Sequence, residues 1–249
     1  MRCFGLTDVG CVRESNQDFF RIEAKQQNQT VYTLLTVCDG MGGAKGGETA
    51  SSLACNTFTE YVLERLEASD KNALLTEAVQ KANAAVFSHA SKNKELAGMG
   101  TTLCAVLTDG ENVYAVSIGD SRIYLFTNGS IVQLSHDHSY VQVLVDSGAI
   151  TKDESRMHPN KNIITRAVGT RSSVECDSFR LLLSNVEGML LCSDGLTNFV
   201  SDEECLAAFS RSADPEIIVS SLVESAKATG GGDNITAVLL HNVSCLDAE

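Results

Sequence analysis

Val31-Tyr32-Thr33-Leu34-Leu35-Thr36-Val37-Cys38-Asp39-Gly40-Met41-Gly42-Gly43 is an uncharged run of β-branched, aromatic and aliphatic residues that breaks on an aspartate and a cluster of glycines. Such a run reads as a buried strand, and the glycines mark where the chain leaves it. The apolar spacing then changes to that of a helix, with Ala50, Leu53, Ala54, Phe58, Tyr61 and Val62 on one face. A second helix follows, with Leu74, Leu75, Ala78, Val79, Ala82 and Val86. A strand followed by two amphipathic helices implies a sheet face that the helices cover.

Six further runs read as strands: Thr102 to Leu107, Val113 to Ile118, Arg122 to Phe126, Phe179 to Leu183, Met189 to Cys192 and Ile235 to Leu240. Asp109-Gly110 and Asn128-Gly129 are tight-turn dipeptides between successive runs, so those strands pair as antiparallel hairpins and not through βαβ crossovers. A second helix pair opens on Ser201-x-x-Glu204, a capping box, and on Asp214-Pro215, a cap with a first-turn proline, the latter helix ending at Gly230. Strands in groups and helices in pairs predict a layered α+β fold. No repeat, low-complexity segment or linker divides the chain, so residues 1–249 read as one domain.

Lys and Arg number 19 against 32 Asp and Glu, a net charge of -13, which argues against nucleic-acid and anionic-membrane partners. No signal peptide is visible, because Asp8 interrupts the short apolar run after Met1-Arg2. The longest stretch without a charged residue, Ile123 to His136, spans 14 residues and contains a turn, too short to cross a bilayer. A cytoplasmic location and a monomer are the expectations. The 9 Cys include no C-x-x-C pair and mostly sit in apolar runs, so they read as reduced, buried hydrophobes. His136-Asp137-His138 comes nearest to a zinc-ligand pattern, and a polar loop explains it equally well.

The chemistry gathers on aspartates. Asp39 and Asp194 each stand where an apolar strand emerges, Asp120 lies in Gly119-Asp120-Ser121-Arg122, and Asp233 precedes the last strand behind three glycines. Asp-Gly is also an ordinary turn dipeptide, and one instance carries no function. Recurrence beside long apolar strands, with glycines that let backbone or ligand come close, is what points to a site. If these carboxylates converge at ~5 Å, each like-charge pair costs on the order of 3 kcal/mol at an effective dielectric of ~20. Bound divalent cations relieve that repulsion, and oxygen ligands favour Mg²⁺ or Mn²⁺ over zinc. Two such ions equip a site for phosphate-ester hydrolysis. Arg13, five residues before Asp18, could hold a phosphoryl group through a bidentate fork.

Other chemistries fit less well. Cys205 and Arg211 have the C-x₅-R spacing of cysteine-dependent phosphatases, but the intervening residues are helix-forming and follow a capping box. The Gly40 to Gly47 stretch follows a strand and opens a helix, yet it carries neither the dinucleotide fingerprint nor a Gly-Lys-Ser/Thr P-loop.

Taken in order, Arg13-x-x-Asn16-Gln17-Asp18, Val37-Cys38-Asp39-Gly40-Met41-Gly42-Gly43, Gly100-Thr101-Thr102, Gly119-Asp120-Ser121-Arg122, Ile164-Thr165-Arg166-Ala167-Val168-Gly169, Ser193-Asp194-Gly195-Leu196 and Gly232-Asp233-Asn234-Ile235-Thr236 resemble the metal-dependent protein phosphatases of the 2C type in their compact bacterial form. The resemblance implies a central antiparallel β-sandwich flanked by helix pairs, α-β-β-α, with two Mn²⁺ or Mg²⁺ ions at one end. It implies hydrolysis of phosphoserine and phosphothreonine on proteins phosphorylated by serine/threonine kinases, through a metal-activated water and no phosphoenzyme. Asp39 would bridge the ions, Gly40 would coordinate through its carbonyl, Asp194 and Asp233 would hold one ion, and Asp18 would reach it through water. Arg13 would bind phosphate, Asp120 and Asp194 would take a third ion, and a mobile flap would lie within Ser135 to Gly169.

The chain departs from the family pattern at two places. Met41 stands where many eukaryotic members have a His proposed as general acid, and Ala44 where many bacterial members have a His thought to touch substrate. Leaving-group protonation would then come from metal-bound water or another residue. Two other readings of the same chain are a non-catalytic phosphopeptide-binding module of this fold and a hydrolase of small phosphoesters.

Overall fold

A computed structural model describes residues 1–242, and Cys245 lies outside the described residues. The chain opens with β1 (Arg2–Asp8), β2 (Asp18–Gln27) and β3 (Thr30–Met41), followed by the helix pair α1 (Ala44–Glu64) and α2 (Lys71–Lys92). The short β4 (Gly100–Thr101) leads into a meander of β5 (Leu103–Thr108), β6 (Asn112–Ile118), β7 (Arg122–Thr127) and β8 (Ser130–Gln133). After α3 (Tyr140–Asp146) and α4 (Lys152–Met157) come β9 (Asp177–Leu182), β10 (Gly188–Cys192), the single turn α5 (Asp194–Thr197), α6 (Asp202–Arg211), α7 (Pro215–Ala228) and β11 (Ile235–His241).

The strands form two sheets, one ordered β1-β11-β10-β7-β8 and the other β2-β3-β5-β6-β9, with β4 paired to the end of β3. Every pairing is antiparallel. The sheets stack face to face, and both outer faces are covered by helices.

Parity along each strand builds three cores, since successive side chains point to opposite faces of a sheet. On β3, Leu34 and Cys38 pack under α1 and α2 with Phe58, Val62 and Leu75. Leu35 and Val37 point the other way, into the inter-sheet core with Val106, Ile123, Leu191 and Val238. On β11, Ile235, Ala237 and Leu239 meet α6 and α7 through Phe209, Leu222 and Val223. Central strands are therefore apolar on both faces, which is why the opening run at residue 31 shows no alternation. Each large side chain buried here contributes about 1.5–3 kcal/mol.

The expected α+β sandwich with flanking helix pairs is the observed one. Both predicted caps are present: Ser201 and Glu204 close a capping box on α6, and the Asp214 side chain accepts from Glu216 N–H at the start of α7. Four features differ from the expectation. The strands β1, β2 and β8 were not foreseen, and all three lie at sheet edges, where half-exposed Arg21 and Glu23 and exposed Lys25 give no apolar run. The stretch from Ser135 to Gly169 holds two short helices, α3 and α4, the second capped by a Thr151–Glu154 box. Cys11 is exposed, unlike Cys38, Cys55, Cys104, Cys192 and Cys205. Last, α7 ends at Ala228, ahead of Gly230.

Candidate active site

The inter-sheet stripes end in polar residues at one end of the sandwich. On β3 the stripe Leu35-Val37 continues to Asp39, and on β2 the stripe Ile22-Phe20 ends at Asp18. Asp18 and Asp39 are direct cross-strand partners, so the register sets two carboxylates side by side, an arrangement that destabilises a sheet when both are charged. By the same parity Ser193 follows Met189-Leu191 and Thr236 precedes Val238-Leu240. Both hydroxyls donate to one oxygen of Asp18, Ser193 Oγ at 2.7 Å and Thr236 Oγ1 at 2.6 Å.

Each remaining aspartate is held by its motif. Asp39 has its backbone fixed from three directions: its N–H donates to Thr102 Oγ1 at 2.9 Å, and its carbonyl accepts from Thr102 N–H at 2.9 Å and Thr101 Oγ1 at 2.8 Å. Its carboxylate has no hydrogen-bond or ion-pair partner among the described residues. Gly40 must be glycine because of close approach, since a Cβ there would lie 2.1 Å from the Gly47 carbonyl oxygen. Asp120 follows Gly119, whose φ of 96° favours glycine. Asp194 opens α5 and accepts from Asn198 Nδ2 at 3.0 Å.

Asn234 ties the site to the loop that carries Arg13. Its amide donates to the Val9 and Ser15 carbonyls at 3.0 and 2.9 Å, and its oxygen accepts from Gln17 N–H at 2.8 Å. Arg13 Nη2 then donates to Asp233 Oδ2 at 2.9 Å, an ion pair at the cavity mouth.

Arg13, Asp39, Gly40, Asp120, Asp194 and Asp233 line one cavity of about 250 Å³, with Gln17, Met41, Asn162 and Ile164. Asp18 lies beneath its floor, nearly inaccessible at 6%. The predicted residues are thus brought together, six on the wall and Asp18 behind it, while His136 and His138 stand apart from the wall.

Electrostatics mark the cluster as short of positive charge. Burial raises the Asp39 carboxyl well above the usual range, and the charges of Asp18, Asp194, Asp120 and Asp233 raise it further. Burial lifts Asp18 to about 7 against the pull of its two hydroxyl donors, and Asp194 and Asp233 add to the rise. Asp194 rises to about 6 through burial and the neighbouring Asp233, and Asp120 rises through burial, Asp194 and Asp137.

A divalent cation fits this donor set. The groups are hard oxygens, the carboxyls resist ionising together, and Asp18 Oδ1 is a buried acceptor with no partner among the described residues. Among the described residues no three acidic, imidazole or thiolate side chains already close round one point. Arg13 occupies Asp233, Asn198 occupies Asp194, and Asp18 reaches the cavity only from below. Oxygens spread in this way suit an ion that keeps part of its water shell, as Mg²⁺ does.

Sequence reasoning assigned no role to Ser193, Thr236, Thr102 or Asn234. The signal available was a polar residue inside a fully buried strand, Thr236 in Ile235–His241, because a buried hydroxyl requires a partner.

The sequence pattern of the family described as Protein phosphatase 2C matches residues 12–224. The serine/threonine phosphatase stp of Listeria welshimeri is 35% identical over 240 residues, covering 94% of this chain and 93% of its own. Among solved structures, serine/threonine phosphatase Stp1 from Staphylococcus aureus superposes with a TM-score of 0.87 at 34% identity, over 96% of this chain and 94% of that one. The catalytic domain of the serine threonine protein phosphatase PstP in complex with 2 manganese ions gives a TM-score of 0.83 at 35% identity, over 96% of both chains.

Proposed function

The chain belongs to the protein phosphatase 2C family and is a metal-dependent protein serine/threonine phosphatase, and from that premise we propose how its residues divide the work. Asp39, Gly40 through its carbonyl, Asp194 and Asp233 would hold two divalent cations, with Asp18 acting on them through an intervening water. Asp120 and Asp194 together hold a third. The observation that carries this reading is the cross-strand pair Asp18 and Asp39, two neighbouring carboxylates with no basic side chain among the described residues bonded to either.

When bound, Mn²⁺ or Mg²⁺ supplies a water acidified enough to attack phosphorus near neutral pH, and positive charge for the phosphoryl oxygens. The remaining tasks belong to protein groups. Arg13 leaves Asp233 for the substrate phosphate, which offers the same guanidinium two oxygens in a fork geometry. Thr101 and Thr102 prevent Asp39 from yielding as charge shifts, because both its backbone N–H and its carbonyl are bonded. Met41 on the cavity wall cannot exchange a proton, so the seryl or threonyl oxygen takes its proton from water or from a carboxyl of raised pKa.

Phosphoproteins are the substrates, and serine/threonine kinases are the source of the phosphate. The eight cysteines among the described residues are all unpaired, which suits a reducing cytoplasm, and no helix among the described residues is long and apolar enough to cross a membrane. We also infer a single catalytic domain, active as a monomer, because one cavity gathers all the proposed ligand and phosphate-binding residues except Asp18 beneath it.

The test is phosphate release from a phosphothreonine peptide with Mn²⁺, with Mg²⁺ and with excess chelator, beside an aryl phosphate. Release from the peptide that needs the cation is the expected result. Cation-independent release, or hydrolysis of the aryl phosphate alone, would overturn the assignment.

A further inference from the structure

The sequence offered His138 as a distant zinc candidate, and the active site does not use it directly. It is 5% exposed and sits where three segments meet. Its backbone N–H donates to the Gly119 carbonyl at 2.9 Å, and its ring Nδ1 accepts from Gly119 N–H at 3.1 Å. Both backbone polar groups of the residue preceding Asp120 are therefore held by one side chain and its own backbone. The His138 carbonyl accepts from Thr165 N–H at 2.8 Å, which brings the 162–166 segment beside the same loop. Asn162 and Ile164 of that segment line the active cavity.

Donor rules fix the imidazole tautomer. Because Nδ1 accepts, it must carry a lone pair, and the proton resides on Nε2. Nε2 then donates to Asp177 Oδ2 at 3.2 Å. Arg166 Nη1, also 3.2 Å from Nε2, is a donor as well, so its hydrogen goes to Asp177 Oδ1 at 3.2 Å. Arg166, Asp177 and His138 thus form a chain in which each member orients the next, ending on Gly119 N–H. A glycine at φ 96° has no side chain to restrain it, so the angle at which Asp120 is presented depends on these two bonds.

We propose that His138 is a positioning residue for the phosphatase reaction: it clamps Gly119 so that Asp120 is presented to the cavity, with Asp177 and Arg166 fixing the ring that does so. The idea rests on the reading of Asp120 as a cation ligand only for its consequence. The clamp itself is independent of any cation.

The experiment separates the two. An asparagine amide oxygen can stand where Nδ1 stands, whereas a glutamine amide reaches only the Nε2 position, so His138→Asn keeps the bond to Gly119 and His138→Gln loses it. Amide hydrogen exchange over residues 117–122 would be measured in the chelated protein, and phosphopeptide turnover would be measured against Mn²⁺ concentration. In His138→Gln, exchange at Gly119 and Asp120 is expected to quicken roughly 10-fold, the scale of one lost buried hydrogen bond. The half-saturating Mn²⁺ concentration rises by a similar factor, while turnover at saturating Mn²⁺ falls much less. His138→Asn recovers most of both. Unchanged exchange in His138→Gln, or equal damage in both variants with the Mn²⁺ curve unmoved, would overturn the clamp. Asp120→Asn is the comparator. If it leaves the Mn²⁺ curve in place while His138→Gln still quickens exchange, the clamp stands and the ligand role of Asp120 fails.

Discussion

Two buried charge clusters share a boundary in this protein, since Asp120 and Asp194 line both the active cavity and a smaller one beside it that contains Arg122 and Asp137. In the smaller cluster the chain provides its own counter-charge. Asp137, 8% exposed, accepts from Arg122 Nε at 3.0 Å and Nη2 at 2.7 Å and from Gln133 Nε2 at 2.7 Å. Arg122 Nη1 donates onward to Tyr124 Oη at 2.9 Å, and that hydroxyl donates to Asp202 at 3.0 Å. The active cavity gathers four carboxylates on its wall and one basic side chain, Arg13 at the rim. One cluster is complete as folded. The other is complete only with a cation from solution, and that incompleteness makes it reactive.

Substitutions that interchange the two situations break the comparison in proportion. Asp39→Asn removes a proposed cation-holding charge and is expected to lower phosphopeptide turnover at saturating Mn²⁺ by roughly 10³-fold while the protein stays folded; wild-type turnover would refute its placement. Arg122→Met leaves Asp137 buried without its counter-charge, so denaturant unfolding should show a loss of about 3 kcal/mol, on the order of 10 °C in Tm. A cluster that kept its stability without Arg122 would not be self-compensated. Arg13→Ala should reduce kcat/KM about 30-fold, the scale of about 2 kcal/mol from charge-assisted bonds to phosphate. If the guanidinium served only to neutralise Asp233, Mn²⁺ would bind more tightly in this variant and kcat/KM would hold.

How much of this was legible depended on burial. Strands with two apolar faces were readable as uninterrupted runs, whereas β1, β2 and β8, each with one half-exposed side at a sheet edge, resemble loops in composition. The β2–β3 hairpin was hidden too, because its turn is Asn28-Gln29 with Asn28 at φ 55° and carries no glycine. Asp39, Asp120, Asp194 and Asp233 were visible because each stands at the junction of a strand and a glycine-bearing turn, whereas Asp18, with no glycine beside it, was reached only through the family motif. What could not be read is which partner each atom takes. The Arg13–Asp233 ion pair spans most of the chain, and the hydroxyl pair on Asp18 comes from β10's end and β11. Those contacts depend on which strand ends the sandwich places together, and spacing along the chain carries no record of that.

The central claim, that the carboxylate cluster lacks positive charge until a divalent cation binds, is tested most directly by the Tm of chelated and Mn²⁺-loaded protein at pH 8 and pH 6.5. A carboxyl whose folded pKa is raised destabilises the folded state fully above that pKa, and the cost fades as pH falls through it, because the folded state then takes up a proton the unfolded chain does not. Asp18, at about 7, takes up its proton within this window, and Asp194, at about 6, lies just below it; Asp39 and Asp120 are raised in the same direction by burial. Burial holds the His138 and His241 imidazoles below their ordinary range, so the unfolded chain takes up those protons first, a term common to chelated and loaded protein. Mn²⁺ is expected to raise Tm by several degrees at pH 8, with an increment that shrinks toward pH 6.5; no increment, or one of equal size at both pH values, would show that the carboxylates are not short of positive charge.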